Sequence, residues 1–199
     1  AGGNAALQAA SHFGREAERT GGSGKLHAVF ISGYVLTLTE RTLRPVRSHL
    51  GVSYALHDEG AYRNELGHGD MRRAPEALRA VRAGLGAAGR ALTEIEPGRY
   101  YGAEADRTLR VVYNEPLLHP FQPYSVEATA NQLEFFIRTL GLRDVPGPRD
   151  QVWYWKELCG LLALAAALTA LVPFARWLLA TVPTFASLVR PAPPAPPRP

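Results

Sequence analysis

An α/β layer on a mostly parallel sheet, followed by a membrane-type helical segment, is the fold class predicted by the 199-residue sequence. Three observations carry this. Short apolar runs bounded by glycine alternate with alanine- and leucine-rich helical stretches. The runs hold β-branched and aromatic residues, which suits buried parallel strands. Charge then disappears, because Leu158 to Ala175 contains no charged residue and neither does Trp177 to Val189. A single cysteine and 46% hydrophobic residues exclude a disulfide scaffold and a disordered chain. Residues 1–150 carry 18 basic against 17 acidic side chains, so no basic stripe points to a nucleic-acid partner.

The chain opens with AGGNAALQAASHF, which has no signal-peptide plan and reads as a helix entered in its first turn. The sequence therefore looks as if it starts inside a fold. Residues 4–13 place Ala5, Ala6, Ala9, Ala10 and Phe13 near helical spacing, and the glycine-rich, charged GREAERTGGSGK is expected to break that pattern. Leu26 to Ile31 is the first strand, and a polar, basic excursion follows. Residues 51–56, GVSYAL, form the second strand and stop at His57-Asp58-Glu59-Gly60. Residues 34–49 and 60–71 are candidate pocket walls. Pro75 to Ala91 reads as a helix opened by proline. Thr108 to Tyr113 is the third strand, leading into a loop with prolines at 116, 120 and 123. Ser125 is the expected N-cap of a helix ending at Gly141, with Val126, Ala130, Leu133, Phe136, Ile137 and Leu140 as its inward stripe.

In α/β sheets, loops beyond the carboxyl ends of the strands carry function. Two of these loops hold Asp58 and His119. An acid after one strand and a histidine after the next is the layout that orients and polarises an imidazole as general base. Glu59 is the alternative acid, and a turn-capping role for Asp58 stays open. A nucleophile is missing. Ala1-Gly2-Gly3-Asn4-Ala5-Ala6 looks like the end of a G-x-S-A-G turn and the first turn of its helix, with the serine immediately before Ala1.

These residues give residues 1–141 a resemblance to the C-terminal half of an α/β-hydrolase, in the chain order serine, acid, histidine. VSYALHDEGAY, RVVYNEPLLHPFQPYSVEATANQLEFF and QVWYWKELCGLL resemble, more closely, bacterial α/β-hydrolases with membrane helices after the hydrolase domain. The resemblance implies a sheet whose last three strands are present. It also implies His119 as triad base, Asp58 as triad acid, an oxyanion-hole contribution from the Ala1 amide, and close helix–strand packing at Gly2 and Gly3. No cofactor is implied. The histidines show no metal-ligand spacing. GGSGK lacks the glycine and the Ser or Thr of a phosphate loop, Ser23 has no elbow context, and Cys159 reads as a small buried hydrophobe.

The 18 uncharged residues from Leu158 would rise about 27 Å as a helix, close to the hydrocarbon thickness of a bilayer. Trp153, Trp155 and Lys156 form an interface belt on one side, and Arg176 and Trp177 mark the other. Pro173 is placed to kink or end the helix, and WLLATVPTFASLV is short enough to be interfacial or re-entrant. A buried core helix is the alternative. The expected organisation is a partial hydrolase domain over 1–144, a linker and interface belt over 145–156, transmembrane or interfacial helices over 157–190, and a Pro-rich linker or tail over 191–199. The function expected is a membrane-anchored serine hydrolase acting on a small-molecule or lipid-like acyl substrate, at a bacterial plasma membrane. An inactive hydrolase-fold scaffold or binding protein is the alternative.

Overall fold

The computed structural model describes residues 2–186, and the chain divides into two compact units, residues 1–151 and 152–199. Three parallel strands, β1 (Ala28–Ser32), β2 (His49–Ser53) and β3 (Arg110–Tyr113), form a sheet in the order β1-β2-β3, with Ile31 paired to Val52 and Val52 to Val112. The first unit is therefore an α/β layer, as its alternating pattern predicts. The second strand begins and ends a few residues before its sequence boundaries, and the third begins slightly later than expected but ends at Tyr113 as expected.

Successive strand residues face opposite sides, so each face has its own core. On one side Val29, Ile31, Leu50, Val52 and Val112 pack with Leu7 and Ala10 of α1 (Gly2–Thr20) and with Ala77 and Val81 of α3 (Pro75–Leu85). On the other, Phe30, Val111 and Tyr113 meet Phe135 of α4 (Val126–Thr139). The loop 33–48 contributes Val35, Leu38, Leu43 and Val46 to the first core and contains a short α2 (Glu40–Leu43) capped by Thr39.

Three helical expectations need correction. α1 does not break after Phe13. It runs to Thr20 because Leu7, Ala10, Ser11, Gly14 and Ala17 continue one buried stripe, and Gly14 lets the helix touch the backbone of Pro45: an added Cβ would lie 1.7 Å from that carbonyl oxygen. α3 ends at Leu85, where Gly86 takes a positive φ of 57°, and continues to Ala91 only as a 3-10 turn. The stripe of α4 is rotated. Ser125 caps it and Ala130 is buried as expected, and Phe136 and Ile137 are half-buried with Phe136 against the second core, but Ala128, Phe135 and Thr139 complete the buried face while Val126, Leu133 and Leu140 are exposed. The groove left by Gly51 decides this, since Phe30 and Phe135 occupy the space a Cβ there would need.

In the second unit α5 (Trp153–Thr181) spans 29 residues, with mean hydropathy 2.2 over its most apolar window and none of that window buried. It is long and apolar enough to cross a membrane. Trp153, Trp155 and Lys156 lie in its first turn rather than in a linker before it. Pro173 does not end it, and Arg176 and Trp177 lie inside it, because the missing N–H of one proline removes a single hydrogen bond from a long run of good helix formers. Pro183 then opens a short α6 (Pro183–Ala186). Cys159 is exposed on α5, not buried as a core hydrophobe. The end of the second apolar run, Arg190 and the Pro-rich tail lie outside the described residues.

Candidate functional site

The hydrogen-bond ladder between β2 and β3 outlasts the strands. Tyr54 N–H donates to the Tyr113 carbonyl at 3.0 Å, Leu56 to that of Glu115 at 2.8 Å, and His57 to that of Leu117 at 3.0 Å. The two loops therefore leave the sheet side by side, which carries Asp58 to His119. The side chain of Asn114 ties down the acid loop, donating to the Tyr54 and Gly69 carbonyls and accepting from Met71 N–H.

His119 Nδ1 lies 2.9 Å from Asp58 Oδ2, and the other Asp58 oxygen accepts from Gly60 N–H at 2.6 Å. A carboxylate accepts only, so Nδ1 carries the proton and donates. Nε2 is then the basic nitrogen, and it has no hydrogen-bond partner among the described residues. The Asp58 side chain is 7% exposed while that of His119 is 47% exposed. The acid is thus fixed in protein and the imidazole presents its free edge to solvent, the polarity a general base needs. Asp58 also shapes a turn through the Gly60 amide, so the capping role and the pairing with histidine coexist.

The two sit in a cleft of about 460 Å³ lined by Tyr34, Val35, Leu36, Tyr54, Tyr62 and Arg63 as well as the pair itself. Both loops marked as pocket walls contribute to it. Glu59 is exposed and lines the cleft too, but the hydrogen bond to the imidazole is made by Asp58, the acid that the fold pairs with it. His57 is exposed beside them. Among the described residues no group of His, Cys, Asp and Glu could hold a metal ion.

The start of α1 lies at the same edge of the sheet. A Cβ at Gly3 would meet Ile31 Cγ2 at 2.9 Å, Tyr34 Cβ at 3.0 Å and the Ser32 carbonyl at 3.4 Å, and a Cβ at the intervening Gly33 would meet His119 Cε1 at 2.2 Å. Gly3 therefore permits a close approach of helix to strand end, as expected. Gly2 does not: a Cβ there would point into open space. Ala1 lies outside the described residues.

Two neighbours of the pair were not legible in the sequence. Tyr54 is buried, and its hydroxyl is pushed up to about 12, first by burial and then by the Asp58 carboxylate against an opposing hydrogen bond from Asn64. It stays protonated at neutral pH beside the acid. Behind His119, Gln122, Ser53, Glu115 and Asn131 form a buried polar chain. Nothing in NEPLLHPFQPY distinguishes a buried Glu or Gln from a solvated one; only the proximity of the second strand end does. No family model matches this chain, and neither a curated protein nor a solved structure matches it.

Proposed function

We propose that this chain supplies the acid and base of a membrane-anchored serine hydrolase of the α/β-hydrolase type, cleaving an ester, thioester or amide of an acyl substrate. The observation that carries the reading is the 2.9 Å bond from His119 Nδ1 to Asp58, which leaves Nε2 free in a cleft at the carboxyl ends of parallel strands. In this reading a serine hydroxyl delivered ahead of α1 gives its proton to His119 Nε2 as it attacks the acyl carbon. The protonated imidazole then passes that proton to the leaving group, and water releases the acyl group by the same base. Asp58 holds the Nδ1–H tautomer and stabilises the imidazolium. The resemblance gives the oxyanion-hole role to the Ala1 amide, since the first amides of a helix have no intrahelical partner and carry its positive end.

The cleft walls are consistent with an acyl substrate, since Val35, Leu36, Tyr34 and Tyr62 offer apolar surface beside the pair. The apolar α5, with aromatic and basic side chains in its first turn, supports attachment to a membrane. The test is hydrolysis of 4-nitrophenyl acyl esters by the protein produced with the residues encoded upstream of Ala1. His119→Ala and Asp58→Asn should each lower kcat by about 10⁴-fold while the folded state persists. Hydrolysis unchanged in both variants would overturn the reading. The absence of any hydrolysis, with Nε2 meeting no nucleophile, would favour the inactive scaffold.

A further inference from the structure

We propose that Gln122 is a positioning residue for His119, acting through a buried network centred on the Glu115 carboxylate. The inference rests on the reading of His119 and Asp58 as base and acid. His119 opens a 3-10 turn, His119–Tyr124, in which Pro120 and Pro123 have no N–H to give, and Gln122 is the buried residue of that turn. Its imidazole is half-exposed and cannot be held by packing alone.

What holds the turn is polar. Gln122 Nε2 donates to Ser53 Oγ at 2.8 Å, and the Ser53 hydroxyl donates to Glu115 Oε2 at 3.0 Å. The other carboxylate oxygen, Oε1, accepts from Asn131 Nδ2 at 2.9 Å. Ser53 has one proton and gives it to Glu115, so its oxygen is free to accept from Gln122, and the chain has one direction. The Glu115 main-chain carbonyl meanwhile accepts from Leu56 N–H, two residues before Asp58. One residue thus anchors the acid loop through its backbone and the histidine turn through its side chain. Gln122 Oε1 and the His119 ring lie side by side over Gly33, where an added Cβ would approach them to 3.2 Å and 2.2 Å. Cutting the link from Gln122 to Ser53 lets the turn drift and takes Nδ1 away from Asp58.

The tautomer of His119 reads this directly, because the nitrogen that carries the proton is set by the hydrogen bond it makes. The full chain, labelled with ¹⁵N histidine in detergent micelles, is compared with Gln122→Leu, which keeps volume and charge. His119 is assigned by its loss in His119→Gln. The expected result is a predominant Nδ1–H form in the parent and an about fivefold fall in the Nδ1–H to Nε2–H ratio in Gln122→Leu, the effect of losing about one net hydrogen bond. Gly141→Ala, which strains the chain away from the site, is the control and should leave the ratio unchanged. If Gln122→Leu does not fold, Ser53→Ala cuts the same link and must give the same shift. An unchanged ratio in the folded variant overturns the positioning role and leaves the acid–base pair standing. A parent chain without Nδ1–H preference overturns the pair as well.

Discussion

Gly33→Ala perturbs the site without replacing either member of the pair. Gly33 has φ 67°, a conformation that costs an L-residue about 1–2 kcal/mol. Its new Cβ would lie 2.2 Å from His119 Cε1 and 2.7 Å from Nδ1, far inside the roughly 3.5 Å at which carbon atoms meet comfortably. The backbone cannot yield easily, because Gly33 N–H is bound to the Ser53 carbonyl at 2.9 Å. The half-exposed imidazole yields instead, by about 1 Å, and its bond to Asp58 goes with it. The expected cost in stability is about 2–3 kcal/mol, the backbone penalty plus roughly one hydrogen bond. Gly141→Ala is the internal control, since Gly141 also has positive φ, 61°, but a Cβ there meets nothing within 4 Å. Urea unfolding of residues 1–151 should show a loss of about 1–2 kcal/mol for the control and about 1 kcal/mol more for Gly33→Ala. Ester hydrolysis by the protein produced with the residues encoded upstream of Ala1 should fall about 10²-fold in Gly33→Ala only, as expected for a misplaced base. Equal stabilities and equal rates in the two variants would refute the claim that Gly33 seats the imidazole.

Other consequences follow from the cores and the second unit. Phe135 is fully buried against Phe30 and Gly51, so Phe135→Ala should cost about 3–5 kcal/mol in urea unfolding, and a loss below about 1 kcal/mol would contradict the packing of α4 on the sheet. His49 is held down to about 4 by burial, with His27 and Arg110 adding positive charge. The unfolded chain binds that proton below about 6.5, the folded one only below about 4, so stability is fully present above pH 6.5 and is lost as pH falls between those values, by on the order of 3 kcal/mol. His49→Asn should flatten that arm of the stability profile; an unchanged acid slope would show that another group causes it. Deleting residues 152–199 cuts just after Gln151, whose amide donates to the Val126 and Pro148 carbonyls and closes the first unit. The product should stay soluble without detergent, and continued sedimentation with membranes would argue against α5 as the anchor.

The layer architecture was legible because short buried runs and glycine punctuation are local signals, and Ser125 caps α4 where such residues usually cap. The pairing of Asp58 with His119 was legible as an order of residues along the chain, and the extended ladder past Tyr54 and Tyr113 turned that order into a 2.9 Å contact. The face of α4 was not legible. Its stripe follows from the hole at Gly51, a long-range fact that periodicity within α4 cannot carry. The length of α1 was missed for the same reason, since Gly14 belongs to a contact with the loop at Pro45 rather than to a break, and Ala17 stays buried beyond it. Glu115 and Gln122 look like surface residues of a Pro-rich loop until Ser53 is placed beside them.

The role proposed for His119, held by Asp58, is that of general base for a serine delivered ahead of α1. The most direct measurement is to react the protein, produced with the residues encoded upstream of Ala1, with a fluorophosphonate and to map the adduct by peptide mass spectrometry. If that role holds, a single adduct is expected on a serine immediately before Ala1, formed in the parent chain and lost in His119→Ala. An adduct elsewhere, or one that forms as fast in His119→Ala, would contradict it.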